Sequence, residues 1–577
     1  MPRERHRRAQ PAAAETGWLL LAALLMLAVL VVGAVWGWGQ VGPLGRAGIV
    51  VGALLLAVTA AAATVAVLRR RKSSTDIDYK ARYLTSGPQM KSLMSDAAAK
   101  SAAKLRASAA GPGVPLGTHL PSNRRVYSTW EWVQVWLMGP RSGKTTCVCV
   151  PQLLETSGPA LFTTNKLDGI PETRGPRSRI GQVWVHDVQN VVGEEPSWWW
   201  NPLSGVTSIS TARALADVFI TAETSAGAKQ DAYFTSAAKA TLARLLLAAA
   251  VDGRPVTDVF DWAQDPDDKQ NVDGSGKKRG PARILQENGF PAEGRALAAT
   301  QALTEKQRDG VYGTLQEWIG ILGDPEILPW ITDPTGRRPH FDHHAFVRST
   351  DTLYLVSKEG EGSARAITAA LTAAVLSAAE KTAAEQGGRL SPPLTAVLDE
   401  VANVCRWRQL PDVYSHYGSR GIVLSSFFQS WAQGVEAFGE HAMAKLFSAA
   451  NVSVVGAGLK EAGFLRQASE LIDDADQVRR SRSTGSKGGP STSTSISRER
   501  LFSVGDLAAL PTGRAVALVS GKRPSLLRLD HYTARPYAED VLASKTYYEN
   551  EIRKQADTGH PPAAAADLAA TPLMEAS

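Results

Sequence analysis

Two uninterrupted apolar stretches open the chain. Gly17–Trp38 and Ala47–Leu68 consist almost entirely of Leu, Ala, Val, Gly and Trp. A helix of about 22 residues is roughly 33 Å long, enough to cross the core of a bilayer. The pattern predicts a membrane anchor over residues 1–72 with two transmembrane helices, at about 17–38 and 47–68. A cleaved signal peptide is disfavoured because the first stretch is too long and a second follows at once. A buried core hairpin is the other alternative.

Basic residues flank the two stretches and predict their orientation. Arginines at positions 3, 5, 7 and 8 precede the first stretch, and the run Arg69–Lys72 follows the second. The short connection between them holds a single arginine, Arg46. Positive charge stays on the cytoplasmic side, so both ends are expected there. The chain is therefore predicted to be a multi-pass protein of the plasma membrane.

Short apolar runs then alternate with helical patterns over most of the chain. This alternation predicts a parallel α/β sheet over residues 126–207 and 333–535. The strand candidates are residues 133–138, 160–164, 182–186, 352–356, 394–399, 421–426, 452–455 and 515–519.

Helical periodicity replaces this alternation over residues 208–332, which predicts an all-helical insertion. The clearest helix candidates there are Thr211–Thr221, Ala232–Val251 and Val311–Leu322. Three other segments lie outside both patterns. Residues 73–125 are predicted to be a helical stalk and linker, residues 477–499 a flexible loop, and residues 536–577 a C-terminal helix with a disordered tail.

Composition narrows the class of protein only slightly. The 577 residues are 44% hydrophobic and 21% charged, which suits a chain with a sizeable folded core. The net charge of +7 is a mild basic excess, which weakly favours an acidic partner. Three cysteines, Cys147, Cys149 and Cys405, do not form a disulfide framework and are typical of a reducing compartment.

A phosphate-binding loop is the strongest chemical signal. It follows the predicted strand 133–138, and its candidate nucleotide ligands are Gly139, Pro140, Arg141, Ser142, Gly143, Lys144, Thr145 and Thr146. Backbone N–H groups and the next helix N-terminus would hold phosphates, with Lys144 on the β- and γ-phosphates and Thr145 on Mg²⁺. One position departs from the usual spacing, because Met138 stands where glycine is expected and Gly139 comes one place later. A chance match in a surface loop is the alternative.

Acidic and polar residues at two later strand ends would complete such a site. Asp399 ends an apolar strand and is a candidate Mg²⁺ ligand, and Glu400 is the candidate base for the attacking water. Gln429 ends the following strand and is a candidate γ-phosphate sensor. Arg420 precedes that strand and is a candidate arginine finger toward a neighbouring subunit, although a solvated loop arginine is the favoured interpretation. For Asp187, a structural and a nucleotide-site role both remain open.

Other conspicuous residues favour structural roles. The aromatic segment Trp198–Leu203 is typical of packing, and His343 and His344 show no metal-ligand spacing. The basic segments Lys277–Arg279 and Arg479–Arg482 are candidate contacts to nucleic-acid phosphates, with solubilising surface charge as the favoured alternative.

Taken in order, eight segments resemble one protein family. They are Gly139–Thr145, Thr164–Asp168, Trp200–Leu203, Leu398–Asn403, Gly418–Ile422, Gln429–Ser430, Asp506–Pro511 and Gly521–Pro524. The set resembles the type IV secretion coupling proteins, the TraG/TraD class of conjugative DNA-transfer ATPases, in their Gram-positive, actinobacterial form. The similarity extends from the two apolar stretches to about residue 530.

The resemblance implies a RecA-like P-loop NTPase domain with an all-helical insertion domain, preceded by two transmembrane helices. It also implies a homo-hexameric ring that uses ATP and Mg²⁺ to deliver a DNA–relaxase complex to a secretion channel. Lys144, Thr145, Asp399, Glu400 and Gln429 would carry the nucleotide chemistry. Family members usually have Ala or Gly where this chain has Met138.

Three other functions remain open at this stage. An FtsK-like DNA translocase is disfavoured, because nothing after residue 530 is long enough for a winged-helix module. A coupling protein with protein cargo and a docking receptor that binds nucleotide without hydrolysing it are the other two. DNA binding, where present, would be largely independent of base sequence and sensitive to salt.

Overall fold

The structure is a computed structural model of the chain. It describes residues 42, 75, 77–224, 232–266, 279–358, 364–472, 474–483 and 491–558. The predicted transmembrane helices at 17–38 and 47–68 lie outside the described residues, as do Lys277 and Lys278. The chain divides into two compact units, Met1–Asp78 and Tyr79–Ser577, and every strand belongs to the second unit.

A mixed sheet of eleven strands forms the centre of the second unit, and a separate two-stranded hairpin accompanies it. The sheet order is β2-β1-β13-β12-β9-β3-β8-β7-β4-β6-β5. The strands are β1 Val114–His119, β2 Arg124–Ser128, β3 Gln134–Leu137, β4 Ala160–Thr164, β5 Val183–Asp187, β6 Thr352–Val356, β7 Leu394–Leu398, β8 Ile422–Phe428, β9 Val452–Gly456, β10 Asp474–Ser483, β11 Ser491–Arg500, β12 Arg514–Val519 and β13 Ser525–Arg528.

Seven neighbouring strands of the described sheet, from β9 to β5, run parallel. Their residues are almost all buried, because helices cover both faces of such a sheet, and this explains why the strands read as continuous apolar runs. The remaining strands β12, β13, β1 and β2 extend the sheet in antiparallel fashion beyond β9. The predicted parallel α/β sheet is thus confirmed, with an antiparallel extension.

Helices connect the strands and cover the sheet. They are α1 Gly87–Met90, α2 Ser95–Lys104, α3 Val150–Leu154, α4 Ile170–Ser178, α5 Ile209–Glu223, α6 Ala232–Val251, α7 Thr257–Gln264, α8 Pro281–Glu287, α9 Pro291–Gln301, α10 Glu305–Ile319, α11 Leu328–Ile331, α12 His343–Phe346, α13 Arg365–Glu385, α14 Val401–Val404, α15 Leu410–Ser419, α16 Trp431–Phe438, α17 Glu440–Ala449, α18 Ala462–Ile472, α19 Val504–Ala508 and α20 Ala538–Thr558.

Between β5 and β6 the regular secondary structure of the described residues is helical, apart from an isolated bridge between Trp199 and His340. Helices α5 to α10 pack on one another there, with α6 in contact with α5, α7, α8, α9 and α10. Tyr233–Val251, nearly all of α6, is also long and apolar enough to cross a membrane, but half of that stretch is buried inside the protein. The burial of Leu242 and of Leu245–Ala249 identifies α6 as the central helix of this region.

Two local predictions were wrong. Residues 114–128 were expected to lie in a linker or at its border, but they form β1 and β2, which pair with each other, and β1 also pairs with β13. β13 lies some 400 residues later in the chain, so no local pattern indicated this pairing. The predicted flexible loop at 477–499 contains the hairpin β10–β11, in which Val478 lies opposite Ile496, two residue types that favour strands.

His186, near the end of β5, is fully buried among aromatic rings. Its ring centroid lies 5.0 Å from that of Trp330 and 5.6 Å from that of Trp198. Burial lowers the pKa of His186 to about 3, so the ring is neutral at physiological pH. The segment Trp198–Leu203 therefore packs, as predicted, and it does so around an uncharged histidine.

This burial predicts an acid-sensitive fold. The pKa of His186 is lower in the folded than in the unfolded chain, so its contribution to stability is fully present above pH 6.5 and is lost as the pH falls toward 3. Between pH 7 and pH 5 the loss should be about 2 kcal/mol. In His186→Phe, the free energy of unfolding should fall less between pH 7 and pH 5 than in the wild type, and the difference should be about 2 kcal/mol. Denaturant unfolding followed by tryptophan fluorescence at the two pH values measures it. An identical pH dependence in both proteins would contradict the assignment.

Candidate active site

The carboxyl ends of three adjacent strands bring the predicted site residues together. β8 lies between β3 and β7, with Leu137 opposite Phe428 and Leu398 opposite Ser426. Parallel strands end at a common edge of the sheet, where ligands bind in α/β proteins. The loop after β3, the acidic pair after β7 and Gln429 after β8 therefore meet, although some 250 residues separate the first two.

The loop after β3 has the backbone of a phosphate-binding turn. Arg141 and Gly143 adopt left-handed conformations, with φ of 57° and 83°. A π-helical turn, Thr145–Cys149, follows directly and continues into α3. Successive backbone N–H groups in such a turn converge on one point and favour an anion.

Met138 is accommodated by the neighbouring strand. Its side chain is fully buried in the core beneath the loop. A Cβ added to Gly456 of β9 would lie 2.5 Å from the Met138 Cγ, so the absence of a side chain at 456 leaves the necessary space. Gly139 takes over the close approach, because a Cβ there would come within 2.2 Å of the Gly458 carbonyl oxygen. The departure at Met138 thus shifts the required glycine by one residue without removing it.

Lys144 is held between two carboxylates. Its Nζ lies 2.7 Å from the Asp399 Oδ1 and 2.5 Å from the Glu400 Oε1, and all three side chains are nearly buried. Burial lowers the pKa of Lys144, but the two adjacent carboxylates outweigh that effect and hold the pKa above its ordinary value. The lysine is therefore charged, and it neutralises part of the acidic pair.

The other predicted residues complete this cluster. The Thr145 hydroxyl lies 3.4 Å from the Asp399 Oδ2, and the Gln429 amide donates to the Glu400 Oε1 at 2.6 Å. Glu400 has a left-handed backbone with φ of 54°, which is unusual for a residue with a side chain. The Thr163 hydroxyl donates to the Asp399 carbonyl at 3.0 Å and so ties β4 to this strained turn. Strain of this kind is typical of functional sites.

A cavity of about 400 Å³ opens over the cluster. All eight predicted loop residues line it, together with Asp399, Glu400 and Gln429. Four residues that were not predicted as site residues also line it: Thr164, Asn165, Lys166 and Asp168. Their signal in the sequence was the segment Thr164–Asp168, which had been noted only for its family resemblance.

The residues around the cavity fit a magnesium–nucleoside triphosphate. The Glu400 Oε2 and the Ser142 Oγ are buried and make no hydrogen bond, so each has capacity for a further polar group. Proteins commonly hold Mg²⁺ through one or two side chains while phosphates and water supply the rest, and the Thr145 hydroxyl and the Asp399 carboxylate at the cavity could supply that part.

Arg420 and Asp187 lie away from the cavity. Arg420 precedes β8, so it is at the opposite edge of the sheet, roughly 20 Å from Gln429. It forms an ion pair with Glu380 of α13. The Asp187 carboxylate accepts three backbone N–H groups at 2.7–3.1 Å from the turn 191–194, which is a structural role. A finger role for Arg420 toward another subunit stays a prediction.

The other singled-out residues also make structural contacts. Arg279 pairs with Asp252 at 2.8 Å and with Glu287 at 3.3 Å, which favours the surface-charge interpretation of that segment. For Arg479–Arg482 the structure describes only the backbone of β10. His343 and His344 stack on each other at the start of α12, with ring centroids 4.5 Å apart.

Fold and site together define a RecA-like P-loop fold with a candidate nucleotide site and a helical region between two strands of its sheet. Residues 393–512 match the family model described as the TraM recognition site of TraD and TraG. This segment contains the acidic pair and Gln429. None of the curated proteins matches the chain.

One solved structure shares the fold of this chain. The unbound monoclinic form of the bacterial conjugative coupling protein TrwBdeltaN70 is 15% identical, with a TM-score of 0.50 over 71% of this chain and 86% of that chain. TrwB with the non-hydrolysable ATP analogue ADPNP (14% identical) and TrwB with ADP and Mg²⁺ (13% identical) each cover 69% of this chain and 85% of theirs, at a TM-score of 0.48. Of these three, only the unbound form shows a shared fold. With the family match, it confirms the resemblance to the conjugative coupling proteins, whereas the Gram-positive type stays a prediction.

The packing of Met138 against Gly456 predicts non-additive mutations. Gly456→Ala alone should destabilise the protein by about 1–3 kcal/mol, because the added methyl group collides with the Met138 side chain. Adding Met138→Ala should recover part of that loss, with a coupling of about 1 kcal/mol in a double-mutant cycle. Strictly additive effects on unfolding free energy would show that the two residues do not share this space.

The buried charge cluster predicts that Lys144→Ala affects stability as well as nucleotide binding. Removing the lysine leaves Asp399 and Glu400 close together without a cation, which should cost about 2 kcal/mol or more. Glu400→Gln in the same chain removes one of the two negative charges and should restore part of the stability. Thermal unfolding of the nucleotide-free proteins measures this. A Lys144→Ala protein as stable as the wild type would contradict the charge balance described here.

Proposed function

We propose that this protein is a membrane-anchored ATPase that couples ATP hydrolysis to the transfer of DNA, as a DNA–relaxase complex, into a type IV secretion channel. One observation carries the enzymatic part: Lys144 and Thr145 meet Asp399, Glu400 and Gln429 around a single cavity. The match of residues 393–512 to the TraD and TraG family supports the biological setting.

Each residue at the cavity has a distinct role in this proposal. The backbone of 139–146 and the Lys144 ammonium bind the phosphates, and Lys144 exchanges its carboxylate partners for phosphate oxygens. Thr145 and Asp399 would hold Mg²⁺, which neutralises charge that develops on the phosphates. Once Lys144 has moved, Glu400 is free to accept a proton from the attacking water.

Gln429 supplies the link between this chemistry and movement. Its side-chain amide donates a hydrogen bond to Glu400, so Gln429 contacts the proposed base directly. In the chain, Gln429 is the residue directly after β8. Loss of the γ-phosphate would alter the position of Glu400, and Gln429 would carry that change into β8 and α16. The sensor role is thus supported by a direct hydrogen bond.

The membrane anchor, the hexameric ring and the DNA cargo belong to the same proposal. The two apolar stretches at 17–38 and 47–68 and their flanking arginines support a plasma-membrane protein with both termini in the cytoplasm. In a ring, Arg420 would have to leave Glu380 to reach a neighbouring nucleotide. A relaxase and channel components are the partners this function needs.

The proposal predicts DNA-stimulated ATP hydrolysis by the purified full chain, with Glu400→Gln reducing kcat by at least about 100-fold. Nucleotide affinity should be retained, because the substitution leaves Lys144 and the loop intact. Phosphate release measures the first property, and binding of a fluorescent ATP analogue the second. Glu385→Gln is the matched control and should behave as the wild type, because this half-exposed carboxylate pairs with Arg348 at the end of α13 and does not line the cavity.

A mating assay then separates the alternatives. The proposal expects Glu400→Gln to abolish DNA transfer, with Glu385→Gln unaffected. Normal transfer by Glu400→Gln would instead favour a docking receptor that does not depend on hydrolysis. ATPase activity that protein cargo stimulates and DNA does not would favour a protein exporter.

A further inference from the structure

The loop that forms one wall of the nucleotide cavity is fixed by residues that do not line the cavity. Thr164, Asn165, Lys166 and Asp168 line the cavity, and Gly169 ends the loop with a left-handed backbone, φ of 95°. A Cβ on Gly169 would lie 3.1 Å from the Thr145 Cγ2. The loop therefore touches the threonine that is the proposed Mg²⁺ ligand, so a shift of Gly169 would move Thr145 or open a gap beside it.

Glu172 fixes Gly169. Its side chain is almost completely buried, and its Oε2 accepts the Gly169 N–H at 2.9 Å. The other carboxylate oxygen, Oε1, accepts from the Lys545 Nζ at 2.7 Å. A buried carboxylate needs such a cation, because burial of the unpaired charge would be costly. One side chain thus joins the cavity loop to a residue about 370 positions later in the chain.

Lys545 lies on the C-terminal helix α20, which is docked firmly at this point. The Ser544 hydroxyl accepts the Gly175 N–H at 2.9 Å and donates to the Pro171 carbonyl at 2.5 Å. The Tyr548 ring lies beneath the Arg174 guanidinium, 4.6 Å away. All three contacts are with α4, the helix that begins directly after Gly169.

The same helix also reaches the element that follows the phosphate loop. Val541 is fully buried against Val150, the first residue of α3. Helix α20 therefore packs on both elements that lead directly out of the cavity wall, α3 and α4. The hydrogen bond that Lys545 donates to Glu172 raises the pKa of Lys545, so the charge on this lysine persists at neutral pH.

We propose that Lys545 and Glu172 are positioning residues for the nucleotide site: through the Glu172–Gly169 hydrogen bond, α20 sets the place of loop 165–168 against Thr145 and so tunes the affinity for the magnesium-bound nucleotide. This inference rests on the proposed function of the cavity. It adds a control point outside the cavity, on the C-terminal helix α20.

Two measurements on the full chain test this role. Lys545→Ala should raise the KM for ATP by about tenfold with kcat changed less than twofold, because the residue supports the site and does not touch the reacting atoms. Hydrogen exchange of a peptide covering 164–173 should become faster in the nucleotide-free protein. Lys545→Arg should recover both properties, since it restores a cation at the same place.

Lys554→Ala is the matched control. Lys554 lies on the same helix and is exposed, with its Nζ 2.7 Å from Glu551. It follows Lys545 by nine residues, roughly 13 Å along the helix axis. If Lys545→Ala and Lys554→Ala have the same KM and the same exchange rate, the positioning role is wrong. A wild-type protein that binds no fluorescent ATP analogue would instead overturn the proposed function, whereas the exchange measurement would still report on the Glu172–Gly169 link.

Discussion

A positive charge buried between two negative ones is the constraint on which the site depends. Lys144 comes from the loop after β3, Asp399 and Glu400 from the turn after β7, and neither group could be buried alone at acceptable cost. The fold brings them together by placing one strand, β8, between β3 and β7. Gln429 follows β8 at the same edge of the sheet and donates to Glu400. The position of β8 between β3 and β7 therefore accounts both for the charge cluster and for its hydrogen bond to Gln429.

Sequence alone could predict the local parts of this arrangement. Continuous apolar runs gave the parallel strands, and residue types at strand ends gave Lys144, Thr145, Asp399, Glu400 and Gln429. Those signals are local, since a buried strand needs apolar residues and a phosphate turn needs glycine next to lysine. The placement of Arg420 illustrates what such signals omit, because its pairing with Glu380 depends on how α13 packs beside β8.

Long-range pairing explains most of what the sequence did not reveal. β1 and β2 join the sheet through β13, a partner that follows them by about 400 residues, and short polar strands carry little pattern of their own. The role of Gly456 also depends on a long-range contact. Its lack of a side chain leaves space for Met138, and this is evident only from the position of the two residues side by side in the folded sheet. Asn165, Lys166 and Asp168 line the cavity only because β4 and α4 lie next to the phosphate loop in the fold, which no local pattern predicts.

An experimental structure of the detergent-solubilised chain with Mg²⁺ and a non-hydrolysable ATP analogue would test the central claim most directly. We expect the Lys144 ammonium on the β- and γ-phosphates, Mg²⁺ within reach of Thr145 and Asp399, and Glu400 released toward a water next to the γ-phosphate. Nucleotide bound elsewhere, with Lys144 still paired to Asp399 and Glu400, would contradict it.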